Sequence, residues 1–188
     1  MKRINDPEIR RRQILDAAMK LFCEKGYEDT SLEDIARELH VVKSLCYRYF
    51  DCKQTLYDAV LDEYTEESCR SLVETIHDRS LAMSERLQSV LSQLLQPAAS
   101  GRWHEFFHKR GNEPVHEQLA LRMCKYMLPH TAAELERSGV KNPLLTACFL
   151  MYGLIGVWQE GEEPAAVLSK QYGELATALL GGSKEKIS

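Results

Sequence analysis

The sequence predicts an all-α protein, and three observations lead there. Helix-forming residues (Ala, Leu, Glu, Lys, Arg and Gln) dominate, while glycine and proline number only 10 and 6 in 188 residues. Apolar residues recur at intervals of three and four in one segment after another. No stretch alternates apolar and polar residues with period two, so no half-buried strand is expected.

The segment PEIRRRQILDAAMKLFCEKG (7–26) is the first predicted helix. Pro7 suits its opening turn, Ile14, Ala18, Leu21 and Phe22 share a face, and Gly26 supplies a stop. In TSLEDIARELH, Thr30 and Glu33 have capping-box spacing, and Leu32, Ile35, Ala36 and Leu39 stripe a helix of two turns. A break at His40 precedes VVKSLCYRYF (41–50), a third short helix. Its inward positions are Val41, Leu45 or Cys46, and Tyr49 or Phe50. A much longer helix follows over 51–78, with Asp51 as its expected cap.

Three short helices feeding a long one, the second and third joined by a tight turn, outline a helix-turn-helix unit leading into a helical body. The expected division is therefore an N-terminal three-helix domain over 1–53 and a larger helical domain over 54–188. Further helices are predicted at roughly 82–96, 101–109, 114–137, 143–160 and 164–180, with Pro129 kinking or splitting the longest of them.

Composition narrows the function classes. A chain with 44% hydrophobic and 28% charged residues is an ordinary globular protein rather than a disordered one. The longest apolar run, LLTACFLMYGLIGVW (144–158), falls short of the roughly 20 residues needed to cross a bilayer, so no membrane partner is expected. The six cysteines form no C-x-x-C pair, and the charged opening MKRINDPEIRRRQ lacks a signal peptide's apolar core. Reduced thiols and a cytoplasmic location are expected.

The net charge of −4 is uneven: residues 1–53 carry 11 Lys+Arg against 10 Asp+Glu, and residues 54–188 carry 13 against 18. Attraction to phosphate depends on the local patch, so DNA stays open as a partner for the N-terminal part alone.

Within that part, several positions match a known pattern in register: Gly26-Tyr27, Thr30, Asp34-Ile35-Ala36, Val41, Tyr47, Tyr49-Phe50 and Lys53. Over roughly residues 8–60 the chain resembles the TetR family of transcriptional regulators; the remainder is similar only in helical layout and length. Departures from the family pattern are His40 for glycine, Val42 for serine or threonine, Ser44 for glycine and Cys46 for leucine or isoleucine. If the turn needs positive φ, His40 carries some strain there. Cys46 is expected to act as a small core filler.

The resemblance implies a recognition helix lying in the major groove of double-stranded DNA. By register Val42, Lys43, Ser44 and Leu45 face the groove: Lys43 can donate to guanine, Ser44 to either kind of base, and Val42 or Leu45 can touch a thymine methyl. Tyr47, Tyr49 and Lys53 are implied phosphate contacts, and Thr30 and Ser31 add theirs from the start of the second helix. Arg10, Arg11 and Arg12 either add general attraction or form a solvated face.

Short recognition helices read few bases, so a homodimer is expected. Its interface draws on Phe149, Tyr152, Gly153, Gly156 and Val157 of one helix and on Leu168, Tyr172, Leu175 and Leu179 of the last. A small-molecule effector, largely apolar, is expected among the middle helices beside Trp103, Phe107, Met123, Tyr126 and Met127. The implied role is that of a repressor released from a palindromic operator by that effector. No cofactor and no resident metal are expected.

One motif points elsewhere. HEFFH (104–108) matches the H-E-x-x-H pattern of zinc hydrolases, in which His104 and His108 would share a metal and Glu105 would activate its water. In the extended form of that pattern Gly111 fits, but Pro114 stands where the third ligand belongs. Phe106-Phe107 reads naturally as core, and a chance match is the preferred reading. Metal-responsive regulation through these histidines, and thiol-responsive regulation through Cys46 and Cys52, are the alternatives. No G-x-S-x-G, phosphate loop or dinucleotide turn occurs, so no catalytic residue is assigned.

Overall fold

The structure, a computed structural model, describes residues 6–95 and 113–160 and a few positions between 170 and 178. Among the described residues there are seven helices and no strand: α1 (Pro7–Lys25), α2 (Leu32–Glu38), α3 (Lys43–Tyr49), α4 (Lys53–His77), α5 (Met83–Leu95), α6 (Glu113–Arg137) and α7 (Pro143–Glu160). Two compact units emerge. The first contains the chain up to Tyr64, and the second is built on Thr65–Leu95 and Glu117–Glu160. The division falls inside α4, which therefore contributes to both cores. The helices expected at 101–109 and 164–180 lie outside the described residues.

In the first unit, α1 begins where the Asp6 carboxylate accepts from the Glu8 amide at 3.0 Å, with Pro7 at the first helical position. It ends at Gly26, whose φ of +91° suits a residue without a β-carbon. Ile14, Leu15, Ala18, Met19 and Phe22 form its buried face.

The second helix opens one residue later than its sequence suggests. Ser31 is the cap, with Asp34 completing the capping box: the Asp34 amide donates to Ser31 Oγ at 3.2 Å, and the Ser31 amide to Asp34 Oδ2 at 3.0 Å. Thr30 is buried and donates its hydroxyl to the Gly26 carbonyl at 2.8 Å, closing the preceding turn.

A Schellman turn joins α2 to α3. The His40 amide bonds the Arg37 carbonyl at 3.1 Å, and the Val41 amide bonds the Ala36 carbonyl at 2.9 Å. The geometry demands a left-handed residue, and His40 supplies it at φ +53°. A β-carbon in that conformation costs roughly 1–2 kcal/mol, against roughly 0.5–1 kcal/mol for glycine's greater chain entropy. His40→Gly is therefore expected to stabilise the domain by about 0.5–1 kcal/mol. A thermal melt showing a lower transition temperature would contradict that assignment.

Cys46 and Phe50 are the inward residues of α3 and its C-cap. Val42, at the N-cap, makes no side-chain capping bond, the consequence of a valine where a hydroxyl residue is usual. α4 starts at Lys53, and Thr55 rather than Asp51 accepts from the Cys52 amide, at 3.2 Å. Phe22, Tyr27 and Tyr57 then stack pairwise at 4.8–5.9 Å between ring centres. This aromatic triangle fastens the α1–α2 turn to α4.

The second unit packs Cys69, Leu72 and Ile76 of α4 with Met83, Leu87, Val90 and Leu91 of α5. Met127 and Leu135 of α6 and Ala147, Leu150 and Met151 of α7 complete this core. α6 runs unbroken with Pro129 inside it, so of the two expected outcomes, a kink or a split, the split does not occur. Met127, Thr131 and Leu135 are buried on either side, packing that offsets the hydrogen bond proline removes. The helix ends in a second Schellman turn, with Gly139 at φ +75°.

One charged cluster is enclosed in this unit. Glu134 accepts from His77 Nδ1 at 2.9 Å and from Arg86 Nη1 at 3.1 Å, with Arg79 at 3.5 Å and Arg137 also paired to it. Arg86 further donates to the Ile76 carbonyl at 3.1 Å. His77 Nε2 lies 3.1 Å from His130 Nδ1. Burial pushes the Glu134 carboxyl up, but hydrogen bonds from His77 and Arg86 and the pull of Arg137 and Arg79 prevail, holding it at about 2.

Candidate nucleic-acid interface

The outer face of the first unit is built on α3. With Cys46 and Phe50 turned inward, Lys43, Ser44, Tyr47 and Arg48 of α3 are exposed, as is Val42 at the extended N-cap. Val42 is 71% exposed, an apolar side chain without a partner in the domain's own core. Leu45 and Tyr49 are half-buried. Of the groove-facing residues expected from sequence, Val42, Lys43 and Ser44 share this exposed surface, and Leu45 lies at its edge.

Arg48 escaped the sequence reading. It is exposed on α3, with its guanidinium 5.4 Å from the centre of the Tyr49 ring. The available signal was its position four residues after Ser44, which places the two on one face of a helix. Lys43 forms an ion pair with Glu33 of α2 and sits 5.5 Å from the centre of the Tyr47 ring. The hydrogen bond that Lys43 donates to Glu33 raises its ammonium above its ordinary value.

Several other cations of this unit are engaged by groups of the protein itself. Lys53 donates to the Tyr27 carbonyl at 2.8 Å and to the Glu28 carbonyl at 3.1 Å, and lies 4.3 Å from the centre of the Tyr27 ring. With these bonds it clamps the α1–α2 turn to the start of α4, while its side chain, expected on phosphate, stays 26% exposed. Arg11 and Arg12 pair with Glu63 of α4, at 3.9 and 3.6 Å, and Arg11 also covers the Phe50 ring at 5.6 Å. Lys25 and Arg37 approach Asp34, and Lys20 bonds Glu38.

Thr30, the other expected phosphate contact near α2, has its hydroxyl turned inward, as described above. Ser31 is exposed, and its hydroxyl also bonds Asp34 at 2.6 Å. The cysteines differ sharply in setting. Cys46 is buried, which pushes its thiol up, whereas Cys52 is exposed and its thiol is lowered by hydrogen bonding to Thr55.

In the second unit, Met127 is buried, and Met123 and Tyr126 pack half-buried against the core. Trp103 and Phe107 lie outside the described residues, as does HEFFH. α7 has two apolar faces. Ala147, Leu150 and Met151 face the core, while Leu144, Leu145 and Phe149 are exposed, with Phe149 at 66%. Tyr152 is half-buried and Gly153 exposed. Leu144 and Leu145 extend the predicted interface surface and were not singled out from sequence. Gly156 and Val157 lie on α7, but their surroundings fall outside the described residues, as do Leu168, Tyr172, Leu175 and Leu179. Among the described residues, no helix is long and apolar enough to cross a membrane.

Comparison with known proteins bears on the α1–α4 segment most directly. Residues 14–60 match the family described as bacterial regulatory proteins, tetR family. Over 46 residues the chain is 44% identical to IcaR of Staphylococcus aureus, a negative transcriptional regulator of a biofilm operon. That match covers 24% of this chain and 25% of IcaR, so the chain spans only a quarter of the length of this relative. Similarity to the transcriptional regulator BetI of Escherichia coli is weaker but longer: 24% identity over 177 residues, 90% of this chain and 91% of BetI. The fold is similar to that of RolR solved with resorcinol, at a TM-score of 0.58 and 16% identity over 96% of each chain.

Proposed function

Because the chain belongs to the TetR family of bacterial regulatory proteins, we propose that it is a homodimeric DNA-binding transcriptional regulator, a repressor released from a palindromic operator by a small, largely apolar effector. The observation that carries this reading is the exposed face of α3. A helix held from behind by Cys46 and Phe50 offers Val42, Lys43, Ser44, Tyr47 and Arg48 on a single outer surface. That is the arrangement a recognition helix needs, with base-reading groups near its start and phosphate-reaching groups beyond them.

Lys43 and Ser44 supply hydrogen bonds to base edges, and Val42 supplies contact with a thymine methyl. Tyr47, Tyr49 and Arg48 reach the backbone. Lys53 serves the interface indirectly, by holding the turn against which α2 is set. Repression is the sense favoured by the name of IcaR, and a small aromatic effector is consistent with the resorcinol of RolR.

Met123, Tyr126 and Met127 belong to the proposed effector site together with Trp103 and Phe107. An effector acts by binding better to the dimer conformation whose recognition helices are wrongly spaced for the operator. α4 is suited to couple the two functions, since Tyr57 and Leu61 belong to one core and Cys69, Leu72 and Ile76 to the other.

The test is to recover bound genomic fragments, define the operator, and titrate it by fluorescence anisotropy at several salt concentrations. Lys43→Ala is expected to lose about 1–3 kcal/mol of discrimination at one base position in each half-site. Unchanged base preference would remove Lys43 from that role. Failure of the wild-type protein to prefer any sequence over random duplex would overturn the regulator reading itself.

A further inference from the structure

We propose that Glu33 is a positioning residue for base reading: it anchors the Lys43 ammonium against α2, aims it at the base edge, and keeps it from engaging phosphate indiscriminately. The inference rests on α3 being the recognition helix. Glu33 lies on α2 and Lys43 at the start of α3, ten residues apart, and the Schellman turn between them fixes both backbones. The Tyr47 ring flanks the same ammonium. Lys43 is thus bracketed by a carboxylate and an aromatic face.

Glu33 lies in the first turn of its helix but takes no part in the capping box, which Ser31 and Asp34 complete. The neighbouring acids are engaged elsewhere: Asp34 with Ser31, Arg37 and Lys25, and Glu38 with Lys20. The Glu33–Lys43 pair is also half-exposed, at 54% and 52%, so it contributes little to stability. Its consequence lies in what the lysine can reach.

A lysine is a flexible point charge that pairs with any phosphate. Such contacts release counterions, and they dominate sequence-independent affinity. Lysine carries three N–H donors. One held by Glu33 leaves others for guanine O6 or N7, while the carboxylate beside them repels phosphate. The pair therefore reads bases without adding its charge to non-specific binding.

The experiment compares Glu33→Gln, Lys43→Ala and the double variant with wild type, on operator and on random duplex across a salt series. Glu33→Gln is expected to tighten random-duplex binding about 3- to 10-fold and steepen its salt dependence by about 0.9 in log–log slope. Operator binding should tighten less, so the operator-to-random ratio falls. In the Lys43→Ala background the same glutamine should leave that ratio unchanged. Equal tightening on both duplexes, or a ratio that falls just as far without Lys43, would overturn the proposal by reducing Glu33 to a plain surface charge. Wild-type protein with no operator preference would instead sink the regulator reading on which it rests. Thermal melting of each variant excludes loss of fold as the cause.

Discussion

Replacing Glu134 by alanine is expected to destabilise the second unit by about 3–5 kcal/mol, since it leaves a buried guanidinium without its counter-charge. The Arg86 side chain is only 8% exposed, and Glu134 only 2%. Arg86 keeps a carbonyl bond to Ile76 and the longer-range attraction of Asp78 in the variant, but it loses its one described ion pair, and Arg79 and Arg137 add their repulsion. A urea titration followed by circular dichroism reads the loss as a lowered midpoint. The double variant Glu134→Leu with Arg86→Met removes both charges and should recover most of the stability. A single-variant loss below about 1 kcal/mol would mean that Arg86 finds water or another partner when its carboxylate is gone.

The same cluster sets an acid limit. Glu134 is held at about 2 in the folded protein against an ordinary 4.5, so the unfolded chain binds its proton more readily. Its stabilisation is complete above pH 4.5 and is lost as pH falls towards 2. Burial, and then the neighbouring His77, lower His130 from its ordinary 6.5, so its contribution also declines as pH falls below 6.5. Both groups act in one direction, and stability should decrease steadily on acidification from neutrality.

Little of that cluster was legible in the sequence. The partners of Glu134 come from positions 77, 79, 86 and 137, and no local pattern announces pairings across 48 or 57 residues. Helix boundaries were legible wherever the backbone itself imposes them. Pro7 and Gly26 bracket α1, and Pro143 opens α7, because a fixed φ or a missing β-carbon acts locally. His40 was readable as an anomaly and proved to occupy the left-handed position it implied.

Degenerate patterns failed. Thr30–Glu33 and Ser31–Asp34 offer the same capping spacing, and only the burial of Thr30 against the Gly26 carbonyl distinguishes them. A helix of seven residues offers too few turns for periodicity to choose between Leu45 and Cys46. Lys53 matched the regulator pattern, yet its ammonium lies on carbonyls more than twenty residues back. A matched motif position thus identifies a residue the fold requires without saying whether it touches the ligand or the protein.

Introducing a charge at Phe149 is the second large effect expected: Phe149→Glu should convert the protein to a monomer and weaken operator binding by at least about 100-fold. Ala147, Leu150 and Met151 of α7 are buried in the core, and Leu144, Leu145 and Phe149 of the same helix are exposed. Fully burying a leucine or phenylalanine is worth about 1.5–3 kcal/mol, and a two-fold interface counts each residue twice. In the proposed dimer, three such residues per protomer, continued by Tyr152, would supply a large share of the association free energy. A glutamate at 149 must be desolvated against that apolar surface, and by symmetry its mate must be too. In the proposed reading a monomer keeps one recognition helix and loses the second half-site, and with it half of the base contacts that make the operator specific. Sedimentation equilibrium reports the mass, and anisotropy titration reports the affinity. A dimer that survives Phe149→Glu with operator binding intact would move the interface off this face of α7.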